Sequence, residues 1–350
     1  MYRTIFLALA RNEAVKKLFV RSPVAGRTQK RFIAGVSWDD ARPVVASLID
    51  RGMRTGLDFL VKDARNMKQA AQARAAYLEL LAQIGRTDWA DKIDLSVRLS
   101  GLGLCLRDGE ELATGHARAI AAAAKAVGAT ITVEPGNPTT AARTLRVVEA
   151  LRDQDPGVGV AIAANLRRSE NDCRAVCSPL SRVRLVKGSP AVPVQATFPD
   201  PHDVDLNYVR CLKILMDGTG VPVVGTHDPV MIEIAQEVAA HSNRGLTDFE
   251  FNLLYGIRPI QQERLAELGH VVRVTVPFGP NWYANPLRRT RSTQPLRMAG
   301  GVPHQLGWTM TMPAACFNSR ICCLTSSGNR LSSAISACGT TGSKFSAYKS

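Results

Sequence analysis

Eight short runs rich in apolar and β-branched residues recur along the chain: TGLDFL (55–60), DLSVRLS (94–100), ATITVE (129–134), GVAIAA (159–164), RVRLVK (182–187), VPVVG (221–225), FEFN (249–252) and VVRVTV (271–276). The segments between them are of helical length and rich in Ala, Leu, Arg and Glu, most clearly 70–85, 114–128 and 227–242. Strands joined by helices run parallel, because an antiparallel neighbour would need only a short hairpin. Eight such units predict an α/β chain closed into a parallel (β/α)8 TIM-like barrel. A doubly wound sheet is the alternative, weakened because no G-x-G-x-x-G follows an early strand.

Three regions are expected: an N-terminal helical segment (1–52), the barrel (53–289) and a tail (290–350). The first region reads as helices over 1–35 and 39–51, the second capped at Ser37 or Asp39. The tail loses the strand–helix rhythm, and residues 287–350 hold eight Lys/Arg and no acid. It is expected to be disordered, and an out-of-frame origin would account for its composition.

The net charge of +14 is uneven: +7 in residues 1–35, +8 in 287–350 and −1 between them. Basic ends without a basic core point to a solvated surface or an anionic surface such as a membrane; no nucleic-acid partner is expected. Arg11, Glu13, Lys16 and Lys17 interrupt the first apolar patch, so it reads as an amphipathic helix rather than a signal peptide, and a cytoplasmic protein is expected. The eight cysteines form no CxxC pair and have no nearby His, so no metal is expected.

In a parallel barrel, ligands bind at the carboxyl ends of the strands. Those ends supply Asp58, Arg98, Ser100, Glu134, Arg184, Lys187, Thr226 and His227, with Trp282, Tyr283, Arg288 and Arg289 beyond the eighth strand. The stretch 182–190 stands out: an apolar run with Arg184 and Lys187, ending in a turn at Gly188-Ser189-Pro190. Taken together these residues predict a cation-rich, acid-poor mouth suited to a carboxylate or phosphate, since Arg offers paired donors to planar oxygens. Each has a plainer reading: His227 satisfying local backbone groups, Asp58 plugging the barrel, basic residues reaching for solvent.

SVRLSGLG (96–103), LRRSENDCR (166–174), RVRLVKG (182–188), YVRCLKILM (208–216), THDP (226–229), EFNLLYGIRP (250–259), VRVTVPFG (272–279) and NWY with LRR (281–289) resemble, in order and spacing, the monofunctional bacterial proline dehydrogenases. The resemblance implies a distorted (β/α)8 barrel that binds FAD and oxidises L-proline to Δ1-pyrroline-5-carboxylate, the first step toward glutamate. It implies a quinone as electron acceptor at a membrane surface and pyrroline-5-carboxylate dehydrogenase as functional partner, with the enzyme cytoplasmic or peripheral at the inner face of the membrane. It implies catalytic roles for Glu134 and Arg184, and substrate contacts from Arg98, Arg288 and Arg289. Cofactor contacts are implied for Lys187, Gly188, Ser189, Thr226 and His227.

The chain departs from that pattern at several of these positions. Arg98 replaces a lysine, and Glu134 an aspartate. Ala163-Ala164-Asn165 replaces a Gln-Ala-Tyr motif. Pro190 and Val192 stand for Tyr and Glu, Thr275 for a tyrosine, and Ser292 for a glutamate. Lost donors at the site imply impaired turnover. Two other classes stay open: a catalytically inactive barrel remnant that binds an anionic surface, and a lyase using Lys187 as a Schiff base, which requires a desolvated amine.

Overall fold

The computed structural model describes residues 31–136, 139–188 and 194–281. Within them the chain runs α1 (Trp38–Asp50), β1 (Arg54–Phe59), α2 (Met67–Ile84), β2 (Ile93–Val97), α3 (Gly109–Ala126), β3 (Thr130–Val133), α4 (Ala141–Arg152) and β4 (Gly159–Ala163). It continues with α5 (Ser169–Val176), β5 (Arg182–Val186), α6 (Pro201–Asp217), β6 (Val221–Gly225), α7 (Pro229–His241), β7 (Glu250–Leu254), α8 (Pro259–Glu267) and β8 (Val271–Phe278). Each strand pairs in parallel with the next, and β8 closes on β1, giving the expected barrel.

Alternation along the strands separates two environments. Leu57, Leu95, Val97, Ile131, Val133, Val160, Ile162, Val183, Leu185, Val224, Phe251, Leu253, Val274 and Val276 face the helix ring and are all buried. Each contributes about 1.5–3 kcal/mol relative to an exposed side chain. The intervening residues fill the lumen and include the polar Asp94, Thr132, Arg184, Glu250 and Arg273 beside the apolar Ala161, Ala163 and Val223. This barrel is therefore apolar outside its sheet and charged inside it.

Boundaries shift where local chemistry overrides the pattern. β2 ends at Val97, not Ser100, because Gly101 N–H bonds to Arg98 O and Leu102 N–H to Leu99 O, which turns the chain. α3 starts at Gly109 rather than 114; Glu110 and Glu111 in its first turn complement the helix dipole. α1 opens at Ser37, whose hydroxyl accepts from Asp40 N–H while the Asp40 carboxylate accepts from Ser37 N–H, a capping box. The segment leading into α1 crosses the strand tips, with Ala34 N–H bonded to Pro277 O and Gly279 N–H to Gly35 O.

Candidate active site

The lumen is built upward from a charged floor. Arg182, the first residue of β5, donates to Asp94 (2.9 Å), Thr130 Oγ1 (2.8 Å) and Glu250 (3.2 Å). Arg273 of β8 holds Glu250 through two nitrogens (2.7 and 3.1 Å) and also donates to the carbonyls of Thr55 and Lys92. Thr132 Oγ1 donates to Asp94 (2.7 Å). Burial alone would push the carboxyls of Asp94 and Glu250 up, but the surrounding guanidiniums outweigh it: Glu250 is lowered to about 2 and Asp94 below its ordinary range.

Above the floor, the carboxyl ends of β1, β2, β3 and β5 bring four charged groups together. Arg98 Nη2 donates to both oxygens of Asp58 (2.9 and 3.0 Å). Attraction to Asp58 raises the guanidinium's pKa against the opposing effect of burial. Tyr77 of α2 supports this pair from outside the barrel: its hydroxyl lies 3.4 Å from Ser96 O and from Arg98 N. Arg184, one pleat above Arg182, is 5% exposed and donates through Nη2 to Glu134 at 2.5 Å. Glu134 is held there because its backbone N–H bonds to Val97 O, extending the β2–β3 ladder by one residue.

The third cation is Lys187, just past β5. Its Nζ lies 2.6 Å from Asp205 on α6 and 3.0 Å from Asp228. Asp228 caps α7: Oδ1 accepts Val230 N–H, Oδ2 takes the lysine, and Pro229 follows at the first helical position. Thr226 Oγ1 accepts Asp228 N–H (3.1 Å), which fixes the cap. His227 Nε2 accepts the backbone N–H of Leu254 at 2.8 Å, so its ring joins β6 to β7 and carries its proton on Nδ1.

Of the expected cation-rich, acid-poor mouth, the scarcity of acids is corrected among the described residues, while Arg288 and Arg289 lie outside them. Among the described residues three cations, Arg98, Arg184 and Lys187, meet four carboxylates, Asp58, Glu134, Asp205 and Asp228. Charges half-removed from water need local counter-ions, and the fold supplies them. Asp205 and Asp228 were not expected at the site. An N-cap signal was readable at Asp228, but nothing local in the sequence aims Asp205 of α6 at Lys187. Lys187 lies in two ion pairs rather than alone in an apolar pocket, which removes the setting a Schiff-base lysine requires.

Arg98, Glu134, Arg184, Lys187, Gly188, Thr226 and His227 all stand at the carboxyl ends of the strands. Ser189, Arg288 and Arg289 lie outside the described residues. The β4 wall of the lumen is small, with Ala161 paired to Arg184 and Ala163 to Val186. Both alanines border a cavity with Pro135, Gly136 and Thr144, whose buried Oγ1 has no hydrogen-bond partner among the described residues. That cavity measures about 20 Å³, space for a water molecule rather than a flavin ring, and Arg184 is not among the residues that line it.

Comparison with known proteins agrees with this architecture. The family model described as proline dehydrogenase matches residues 41–283. Proline dehydrogenase 1 of Bacillus subtilis (strain 168) is 30% identical over 289 residues, covering 83% of this chain and 94% of the relative. Proline dehydrogenase of Deinococcus radiodurans is 29% identical over 296 residues, covering 84% and 94%. Among solved structures, proline utilization A (PutA) from Bdellovibrio bacteriovorus, inactivated by N-propargylglycine, matches with a TM-score of 0.68 at 21% identity. That match covers 74% of this chain but only 32% of the larger protein, and it supports the fold alone.

Proposed function

The chain belongs to the proline dehydrogenase family, and from that premise we propose that it oxidises L-proline to Δ1-pyrroline-5-carboxylate with FAD as its cofactor, at reduced efficiency. The observation that carries this reading is Arg184, a buried cation anchored by Glu134 in the lumen at the ligand-binding end of a barrel of this family. When bound, FAD supplies a two-electron acceptor for the hydride of the substrate. The electrons then pass to a quinone at a membrane surface, and the product is taken up by a pyrroline-5-carboxylate dehydrogenase. Among the described residues no helix is long and apolar enough to cross a membrane.

The chain's own residues would act as follows. Arg184 presents a fixed positive charge where negative charge accumulates, and its orientation is set in advance by Glu134, so little reorganisation is needed. Lys187 and Gly188 line the cofactor on the β5 loop together with Ser189. Thr226 and His227 hold the β6 tip and the Asp228 cap beneath Lys187. Arg288 and Arg289 grip the proline carboxylate and present the Cα–N–Cδ edge for hydride loss, a gain in orientation rather than in reactivity. Arg98, locked to Asp58, closes the side of the site.

Reduced efficiency follows from two positions the structure describes. Ala163 offers a methyl group where the family pattern has an amide. Thr275 spends its hydroxyl on Asn252 (2.9 Å) instead of meeting a substrate. Each lost contact is worth about 1–3 kcal/mol, so together they predict proline-dependent dye reduction between about 30-fold and about 10⁴-fold slower than that of the Bacillus subtilis relative. The purified protein should show flavin absorbance, increased by added FAD. A colourless protein that takes up no FAD would overturn the reading in favour of a barrel remnant.

A further inference from the structure

We infer that Asn207 is a positioning residue: from α6, in the helix ring, it holds the tip of β4 in place beside Arg184. This rests on the reading of Arg184 as the central cation of the site and goes beyond it in assigning what steadies the wall next to that cation. β4 and β5 run in register, with Ala161 paired to Arg184 and Ala163 to Val186. The ladder continues one residue past β4, where Ala164 N–H donates to Val186 O (2.8 Å). The Ala164 carbonyl is taken from the other side by Asn207 Nδ2 at 2.6 Å, and both residues are buried. A carbonyl only accepts, so it is the NH2 end of the amide that faces it.

The next residue of the same helix serves the neighbouring strand. Tyr208, also buried, donates its hydroxyl to Leu185 O (3.3 Å), and Leu185 directly follows Arg184 on β5. Two consecutive side chains of α6 thus hold one backbone carbonyl each, at the end of β4 and within β5. A helix turn is stiff, so both strands are referred to a single rigid support. A buried carbonyl that loses its donor shifts toward another partner or toward water. Movement at Ala164 is passed along β4 to Ala163 and Ala161, whose small side chains stand in the lumen next to Arg184. Asn207 therefore acts through β4 rather than on the reacting atoms.

Two variants of the full chain test the role. Asn207→Ala removes the donor and the volume; Asn207→Leu keeps the volume, drops the donor, and carries the test if the alanine variant does not fold. Residue-resolved hydrogen–deuterium exchange without added cofactor should be at least about tenfold faster at the Ala164 amide in both, with β1, β2 and β8 unchanged. Proline-dependent dye reduction should fall about tenfold in kcat in both, with KM for proline within about twofold of the parent. In an Arg184→Ala background the same substitutions should change kcat by less than about twofold, because the wall no longer has a cation to steady. Unchanged exchange at Ala164, a leucine variant that behaves like the parent, or a full additional loss in the Arg184→Ala background each overturns the role. If the parent reduces no dye with proline, the reading of the site fails, while exchange at Ala164 still decides whether Asn207 holds the β4 tip.

Discussion

Replacing Glu250 by glutamine is expected to cost the fold about 3–5 kcal/mol, the penalty for stranding a buried charge. Glu250 is the shared counter-ion of Arg273 and Arg182, and both arginine side chains are nearly enclosed, with exposures of 2% and 11%. The amide keeps the shape but not the charge, so two guanidiniums remain in the lumen with Asp94 as their remaining acid on the floor. Urea unfolding should show a lower midpoint with an unchanged slope. Adding Arg273→Met should recover part of the loss, because it removes one stranded cation.

The same cluster predicts acid sensitivity. Glu250 has its pKa lowered from 4.5 to about 2 in the folded protein, and Asp94 is shifted in the same direction. A carboxyl with a depressed folded pKa contributes stability that is complete above its unfolded value and is lost as pH falls toward the folded one. Stability should therefore hold down to about pH 5 and then drop toward pH 2, with Glu250 contributing of the order of 3 kcal/mol. In Glu250→Gln the fall over this window should be shallower. An equally steep fall would show that other carboxylates govern acid unfolding.

The second large effect is expected at Arg184. Arg184→Ala removes the central cation of the proposed site and leaves Glu134 half-buried without its partner. Proline-dependent dye reduction should fall about 10²–10³-fold, the range seen when one preorganised electrostatic contact is lost. Arg184→Lys should retain an intermediate rate, since it keeps the charge but not the planar fork. A merely structural role would lower the melting temperature of both variants and leave the turnover of the folded fraction near the parent value; steady-state rates measured beside thermal unfolding separate the cases.

Much of the architecture was legible from local pattern. Period-two runs separated by helical lengths specify a parallel barrel, and Ser37 announces a helix start, because caps and alternation depend on neighbours a few residues apart. Arg98, Glu134 and Arg184 were legible as site candidates for the same reason: a charged residue at the end of an apolar strand has few other places to be. Which of them pair with which acids was not. Arg98 meets Asp58 across 40 residues, and Arg184 meets Glu134 across 50. His227, expected beside the cofactor, spends Nε2 on the backbone of Leu254, a bond visible only once β6 and β7 lie side by side.

Residue identity and spacing by themselves determined the fold, and the ordered motifs carried the resemblance to the family. Only the tertiary structure decided the electrostatic character of the barrel's carboxyl end. The charge a site presents depends on which acids the closed sheet and its helix ring bring within about 3 Å of each cation, and Coulomb energy depends on distance in space, not along the chain. Closing the barrel placed Asp205 and Asp228 on Lys187, and it gave Arg98, Arg184 and Lys187 each an acidic partner.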